Sequence, residues 1–377
     1  MDAWVDAAAA EIAQRAPREL EALVAVSSPS GDVHGAEECA SVCAALLPAQ
    51  AAVERVPCSS PGHAPDLIAR LAGSGRRRIL LLGHLDTVVA HDEHRPLAPD
   101  GDRLVGSGAV DMKGGVALAL GALRALAQRP EAYAEVALLL VVDEEWRTGP
   151  LVHVERFAGF DACLCFEAGE LAGDDEAVVV RRKAAATVRV RARGRSAHSG
   201  SAPDRGRNAL LALATAAQAV AAAHDPAGPQ RLTAVPTVLR SGDAFNVVPG
   251  DGELYADCRA DDLGAVEAVC AAVPDDVAGV ALDTELVRRW PGMHSEAAVA
   301  PLLERAARLL GRPVRGASRG GASDASHVAA ALPVTVDGLG PRGGAAHNPG
   351  EYVVAGSIPT RAQVAMAVVA AALEGGT

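Results

Sequence analysis

Apolar residues along this chain change their period several times, and each change marks an element. From about Asp6 to Val26 they recur at helical spacing, until Ser27-Ser28-Pro29-Ser30-Gly31 breaks the pattern. Asp32 is placed to cap a second helix that runs to about Leu47 and stops at Pro48. Strands are predicted over 51–56, 67–71 and 78–82, the last containing the wholly apolar run Ile79-Leu80-Leu81-Leu82. A helix is predicted to open at Asp111 and reach about Gln128, with further apolar strands at 136–142 and 161–166. Strands and helices alternate, which predicts an α/β sandwich with a mainly parallel sheet.

After Gly169 the pattern changes. Asp174-Asp175-Glu176 reads as an acidic break. A strand with polar alternation (187–193), a helix (206–223), strands at 232–240 and 252–259, a helix (262–272) and a strand (277–287) follow. That order, β-α-β-β-α-β, is ferredoxin-like. It predicts a small α+β domain over 174–292, inserted into a larger one made of 1–173 and 293–377. The alternation of helices and strands then resumes with a helix near 296–310, the pair Gly320-Gly321, and a C-terminal helix from about Pro359.

Composition narrows the picture. Half of the residues are hydrophobic but only 3% are aromatic, so the core is built from Ala, Val and Leu. A net charge of -12 argues against a nucleic acid or an anionic membrane as partner. The start, Met1-Asp2-Ala3-Trp4-Val5-Asp6, lacks the basic segment of a secretory signal. No apolar run approaches the ~20 residues of a membrane helix. The expectation is a cytoplasmic protein. The seven cysteines follow no regular framework and read as reduced core thiols.

Candidate chemistry begins where the strand 78–82 gives way to Gly83-His84-Leu85-Asp86-Thr87-Val88. In open α/β sheets, ligands bind at the carboxyl ends of strands. His84 and Asp86 are two apart, so on an extended backbone they share a side. A metal-binding imidazole usually gives its second N–H to a carboxylate. Alone, His84 also reads as an ordinary core or surface histidine. Asp111, Glu145, Glu167 and His347 stand at comparable places, and each has a plain alternative. Asp111 can be a helix N-cap, Glu144-Glu145 a solvated pair, Glu167 an exposed strand end, and His347 a loop residue. Jointly they supply imidazoles and carboxylates suited to two divalent ions, zinc first, with cobalt or manganese as substitutes. Two metals need one bridging carboxylate and a general base beside the attacking water, and Glu144 is placed for the second role.

Several stretches resemble the M20 family of metallopeptidases, in its glutamate carboxypeptidase (carboxypeptidase G2-like) branch. They are Gly83–Val88, Gly106–Gly115, Asp143-Glu144-Glu145, Phe166-Glu167, Gly194–Gly200, Asn246-Val247-Val248-Pro249, Gly320–Asp324, and His347 with Glu351-Tyr352-Val353. The resemblance implies that Asp111 bridges two zinc ions, that His84 and Glu167 complete one site, and that Glu145 and His347 complete the other. It implies Glu144 as base and Asp86 as orienter of His84. It further implies that the inserted domain is a lid through which a homodimer forms, with His198 reaching the partner's site to polarise the scissile carbonyl. Asn246 and Arg259, with Arg288 as a further contributor, would bind a substrate carboxylate. Two departures stand out. Trp146-Arg147-Thr148 replaces the usual residue followed by Gly-Ser, and Ala184 follows Arg181-Arg182-Lys183 where relatives often carry Gly. The implied activity is a carboxypeptidase releasing an amino acid such as glutamate. An N-acyl-amino-acid deacylase, a biosynthetic amidohydrolase and a metal-binding homologue without catalysis stay open beside it. The implied substrate is a small peptide or an N-acyl amino acid.

Overall fold

Apolar runs with no polar alternation end up as central strands covered on both faces. In the computed structural model, which describes residues 2–374, such runs form the middle of a six-stranded sheet, whose edge strand Ala52–Val56 is mostly exposed. Its order is Ala52–Val56, Asp66–Ala72, Glu135–Val141, Arg78–His84, Ala162–Cys165 and Thr335–Val336. The four strands from Glu135–Val141 onward pair in parallel, while the first two add an antiparallel edge. Ile79 and Leu81 point into a core shared with helices Ala3–Val24, Gly114–Ala127 and Ser357–Leu373. Leu80 and Leu82 point the other way, into a second core with Phe157, Ala325 and Val328. The mainly parallel α/β sandwich is therefore present.

Register sets what lies at the carboxyl edge of this sheet. His84 pairs with Val141, and Leu82 with Cys165. The segments just beyond, Asp143-Glu144-Glu145 and Phe166-Glu167, thus leave the sheet alongside His84-Leu85-Asp86. A separate small sheet of Ala98–Asp100, Arg103–Val105, Tyr352–Val354 and Gly343–Gly344 links two distant stretches. Tyr352 pairs with Val105, so the loop carrying His347 comes to lie beside the segment that leads to Asp111.

The chain divides into two compact units. The first comprises residues up to Arg181, Met293–Arg319 and Ser323 onward; the second is Arg182–Gly292 with Gly320–Ala322. The second unit has the order strand, helix, strand, strand, helix, strand: Ala184–Arg193, Ala209–Ala222, Thr233–Arg240, Asp251–Ala260, Leu263–Ala272 and Val280–Trp290. Its sheet is antiparallel throughout, with Ala184–Arg193 between Asp251–Ala260 and Val280–Trp290. This is the ferredoxin-like arrangement. Val188, Val190 and Ala192 are buried against the helices, and the intervening arginines face outward.

Three local expectations differ from the structure. The first crossing between units falls between Arg181 and Arg182 rather than at residue 174, because the strand Asp175–Arg182, paired with Glu170–Ala172, belongs to the first unit as far as Arg181. The strand expected over 277–287 is present from Val280 to Trp290, but its first residues belong to a hairpin. Ala278 and Gly279 both take positive φ and turn the chain between Asp276–Val277 and Val280–Trp290. The helix expected from Asp111 starts at Gly114, because Asp111 and Met112 have non-helical backbone. Asp111 is therefore not its N-cap. None of the seven cysteines forms a disulfide among the described residues. No helix among them is long and apolar enough to cross a membrane.

Candidate metal centre

Asp111 is the point on which two imidazoles converge. His84 Nε2 lies 3.1 Å from Asp111 Oδ1, and His347 Nε2 lies 3.1 Å from Asp111 Oδ2. Glu167 adds an oxygen 3.6 Å from His84 Nε2, and Glu145 adds one 3.2 Å from His347 Nε2. Two donor groups result, His84–Asp111–Glu167 and Asp111–Glu145–His347, each with its ligand atoms within 4.8 Å of one another. They share Asp111 alone, through opposite oxygens. Glu144 forms a further such group with His84 and Glu145, and is buried.

Local structure explains why Asp111 can sit there. The buried Glu351 carboxylate accepts the backbone N–H groups of Gly108, Val110 and Asp111 at 3.0, 2.7 and 2.8 Å. Those donors are thus withdrawn from helix formation, and the segment is held as an irregular turn. Gly115 follows because the helix start presses against the neighbouring strand end: a Cβ there would collide with the Phe166 carbonyl oxygen. That close approach sets Asp111 beside Glu167.

Asp86 has a wider part than orienting a histidine. His84 Nδ1 donates to the Asp86 backbone carbonyl at 3.0 Å, with the Asp86 carboxylate at 3.4 Å. The same carboxylate accepts the N–H of Glu144 at 3.2 Å and of Glu145 at 3.1 Å. One side chain thus ties the ends of two strands together. The turn 143–147 is closed from its other side by Arg147, whose N–H donates to the Asp143 carbonyl at 2.9 Å. Its guanidinium, fully buried, pairs with Asp143 at 2.7 Å and also with Asp324. The sequence assigns no role to Glu351 or Arg147. Its one signal for them is a charged residue inside a family-like stretch, for Glu351, or inside a departure from the family pattern, for Arg147.

Protonation shows what the cluster demands. Burial alone would depress His84, yet hydrogen bonds to Asp111 and Asp86 and the nearby carboxylates raise its pKa well above the usual range. Hydrogen bonds to Asp111 and Glu145 raise His347 to about 10. Burial raises Glu144 well above an ordinary carboxylate, and burial also raises Glu145 against the pull of His347. Burial would raise Asp111 too, but its two histidine partners carry it below the usual range. Burial lifts Glu351 to about 7. The carboxylates favour positive charge in the spaces between them, which is the cause of the upward shift of both imidazoles. The same donors would hold divalent cations, and the nitrogen–oxygen set suits zinc, cobalt or manganese.

The other four residues singled out in the sequence lie in the second unit. His198 sits in a two-residue strand paired with Val247–Val248, and Ser199 N–H donates to the carbonyl of Asn246. This brings the His198 and Asn246 segments together. His198 Nδ1 accepts the N–H groups of Gly200 and Ser201 at 3.1 and 3.2 Å, which leaves the ring proton on Nε2. Arg259 and Arg288 stand on strands that flank Ala184–Arg193, opposite Ala185 and Thr187. Arg259 Nε donates to Asp257 at 3.0 Å, and Arg288 lies over the Trp290 ring at 4.9 Å.

A mainly parallel sheet whose carboxyl edge gathers imidazoles and carboxylates round one shared aspartate, on a chain interrupted by a ferredoxin-like unit, has the donor set of a metal centre. The chain belongs to peptidase family M20/M25/M40, whose description matches residues 80–371. Succinyl-diaminopimelate desuccinylase of Methylobacterium sp. (strain 4-46) is 31% identical over 326 residues, 78% of this chain and 81% of that protein. Carboxypeptidase G2 of Pseudomonas sp. (strain RS-16) is 27% identical over 249 residues, 64% of this chain. That match spans 59% of carboxypeptidase G2, less than two thirds of its length. Among solved structures, aminopeptidase PepT from Bacillus cereus ATCC 10987 superposes with a TM-score of 0.77 at 22% identity, covering 96% of this chain and 99% of that one. The metallo-carboxypeptidase Sso-CP2 of Sulfolobus solfataricus gives 0.74 at 16%, covering 95% and 99%. At those identities the structures speak to the fold.

Proposed function

We propose that this protein is a cytoplasmic, homodimeric, dinuclear zinc enzyme that hydrolyses an amide bond next to a free carboxylate, releasing a C-terminal amino acid such as glutamate. The observation that carries the reading is the pair of 3.1 Å approaches, one imidazole to each oxygen of Asp111. A carboxylate so placed is suited to bridge. His84 and Glu167 would hold one ion, and Glu145 and His347 the other. When bound, the ions polarise the scissile carbonyl and acidify the attacking water. Glu144 takes the proton from that water and returns it to the leaving amine. Asp86 holds His84 and the backbone of both glutamates in place. His198, supplied from the second unit of a partner subunit, offers its Nε2–H to the developing oxyanion. Asn246, Arg259 and Arg288 receive the substrate carboxylate, for which a planar guanidinium is well shaped.

A second reading is N-acyl-amino-acid deacylation. It is favoured by the desuccinylase relative, whose match covers more of both chains than that of carboxypeptidase G2. Both reactions present an amide beside a carboxylate and need the same residues. A zinc-reconstituted assay over dipeptides ending in Glu, Asp or Ala and over N-acetyl and N-succinyl amino acids separates them. Turnover of the dipeptides alone supports the first reading, turnover of the acyl compounds alone the second, and turnover of none sinks both. Mixing His198→Ala with Glu144→Ala protomers tests the shared site: activity returns in heterodimers if each site borrows its partner's histidine, and stays absent if not.

A further inference from the structure

Cys58, unlike the buried thiols of the core, is half-buried. It lies in the loop between strands Ala52–Val56 and Asp66–Ala72. Val56 pairs with Asp66, and Leu67 with Leu140, so the start of the second strand lies beside the end of Glu135–Val141. The chain leaves that end as Val142-Asp143. The sheet therefore delivers Cys58, Asp66 and Asp143 to one corner of the first unit. The Cys58 sulfur and one oxygen from each carboxylate lie within 4.8 Å of one another. This group shares no residue with the donor groups round Asp111.

Both aspartates are fully buried. Asp66 Oδ1 accepts the Val142 N–H at 3.0 Å, and Asp66 Oδ2 lies 2.9 Å from Nε2 of the buried His153. Asp143 Oδ1 takes the Arg147 guanidinium at 2.7 Å, but Arg147 divides its one charge between Asp143 and Asp324. Asp143 Oδ2 is shielded from water and has no hydrogen-bond partner among the described residues. The Cys58 thiol beside that carboxylate is a weak donor at best. A buried oxygen left without a partner, in a side chain packed against a second buried carboxylate, is costly unless a cation joins them.

We infer that Cys58, Asp66 and Asp143 form a further, structural site for a zinc ion, with His153 orienting Asp66 from outside the donor set. The spacing closes on an ion with Zn–S of ~2.3 Å and Zn–O of ~2.0–2.2 Å by small side-chain movements, and water fills the fourth position. A thiolate disfavours magnesium and calcium, two carboxylates disfavour monovalent copper, and zinc accepts both donor types. The loop carrying Cys58 supplies the entry path. On binding, the sulfur gives its proton to solvent as the Zn–S bond forms. The ion would tie this loop to the turn that presents Glu144 and Glu145, adding to the ties made by Asp86 and Arg147. The inference stands apart from the two-ion reading of the Asp111 centre.

The test uses cobalt as a reporter, added to chelator-treated full-length protein. No sulfur belongs to the donor groups round Asp111, so a thiolate-to-cobalt charge-transfer band reports the Cys58 site alone. Wild type should show that band, and Cys58→Ala should lose it while keeping its circular dichroism spectrum. After zinc loading and desalting, wild type should retain one zinc per chain more than Cys58→Ala. His153→Gln should weaken cobalt binding read by the band by ~10- to 100-fold, the usual loss when the partner of a metal ligand is removed. No band in wild type, a band that survives in Cys58→Ala, or a His153→Gln titration equal to wild type overturns the site. A sulfur band without any further bound cobalt keeps this site and sinks the two-ion reading, so the two failures are distinct.

Discussion

Arg147→Met removes the cation paired with two buried carboxylates and leaves most of the side-chain stem in place. Arg147 is 1% exposed, and its partners Asp143 and Asp324 are 0% and 3% exposed. Screening by water is therefore small, and breaking such a pair from one side costs about 3–5 kcal/mol because the opposite charges stay buried. Against a domain stability of ~5–15 kcal/mol this is a large fraction. With a urea dependence of ~2–3 kcal/mol/M, the unfolding midpoint of the first unit should fall by about 1–2 M. The assay is urea unfolding followed by circular dichroism, on metal-free protein so that zinc binding does not mask the loss. The companion variant is the triple change R147M, D143N, D324N. Neutralising both stranded carboxylates should recover more than half of the lost stability, because an uncharged set of similar shape does not carry the same desolvation cost. A loss below ~1 kcal/mol for Arg147→Met, or a triple variant no more stable than the single one, would refute the role of Arg147 as their counter-charge.

Other outcomes follow from the same geometry. Glu144→Gln should lower kcat by at least ~100-fold with zinc content unchanged, since general-base catalysis contributes ~10²–10⁴-fold; a variant near wild-type rate removes Glu144 as base. Glu351→Ala strips the acceptor from three N–H groups, so zinc affinity should drop by ~10- to 100-fold, measured by competition with a chelator. Asp86→Ala should show a loss on the same scale in the same titration, because it frees His84 and the N–H groups of Glu144 and Glu145 at once. Chelation should lower the melting temperature and zinc should restore it, with ~2.7 kcal/mol gained at a free concentration 100 times Kd; a melting curve indifferent to zinc would remove the assigned ligand set.

The central sheet is legible in the sequence because burial on both faces leaves a local mark. Ile79-Leu80-Leu81-Leu82 and the run ending at Val141 need no knowledge of their neighbours to be read as strands. The polar residues that end them are legible for the same reason, as abrupt breaks in apolar runs. The hairpin at Ala278-Gly279 escapes such a reading because an apolar stretch does not announce a turn when one of its two central residues is alanine. Asp175–Arg182 escapes it because its acidic start resembles a loop, while Val178, Val179 and Val180 behind it are all buried.

Glu351 and Arg147 are opaque for a different reason. A buried charge is tolerable only with its partners, and those partners are often remote in sequence: Glu351 serves the N–H of Val110 across 241 positions. Periodicity reports whether a residue is buried, never what neutralises it. Neither residue belongs to the two donor groups, yet one shapes the turn that presents Asp111 and the other the turn that presents Glu144 and Glu145. The donors stand where strands end, as sheet topology requires, but their aim depends on these supporting charges. Specificity is therefore expected to depend on places where support and rim adjoin, as at Trp146-Arg147: a cation buried beneath the glutamates follows an indole exposed to solvent beside them.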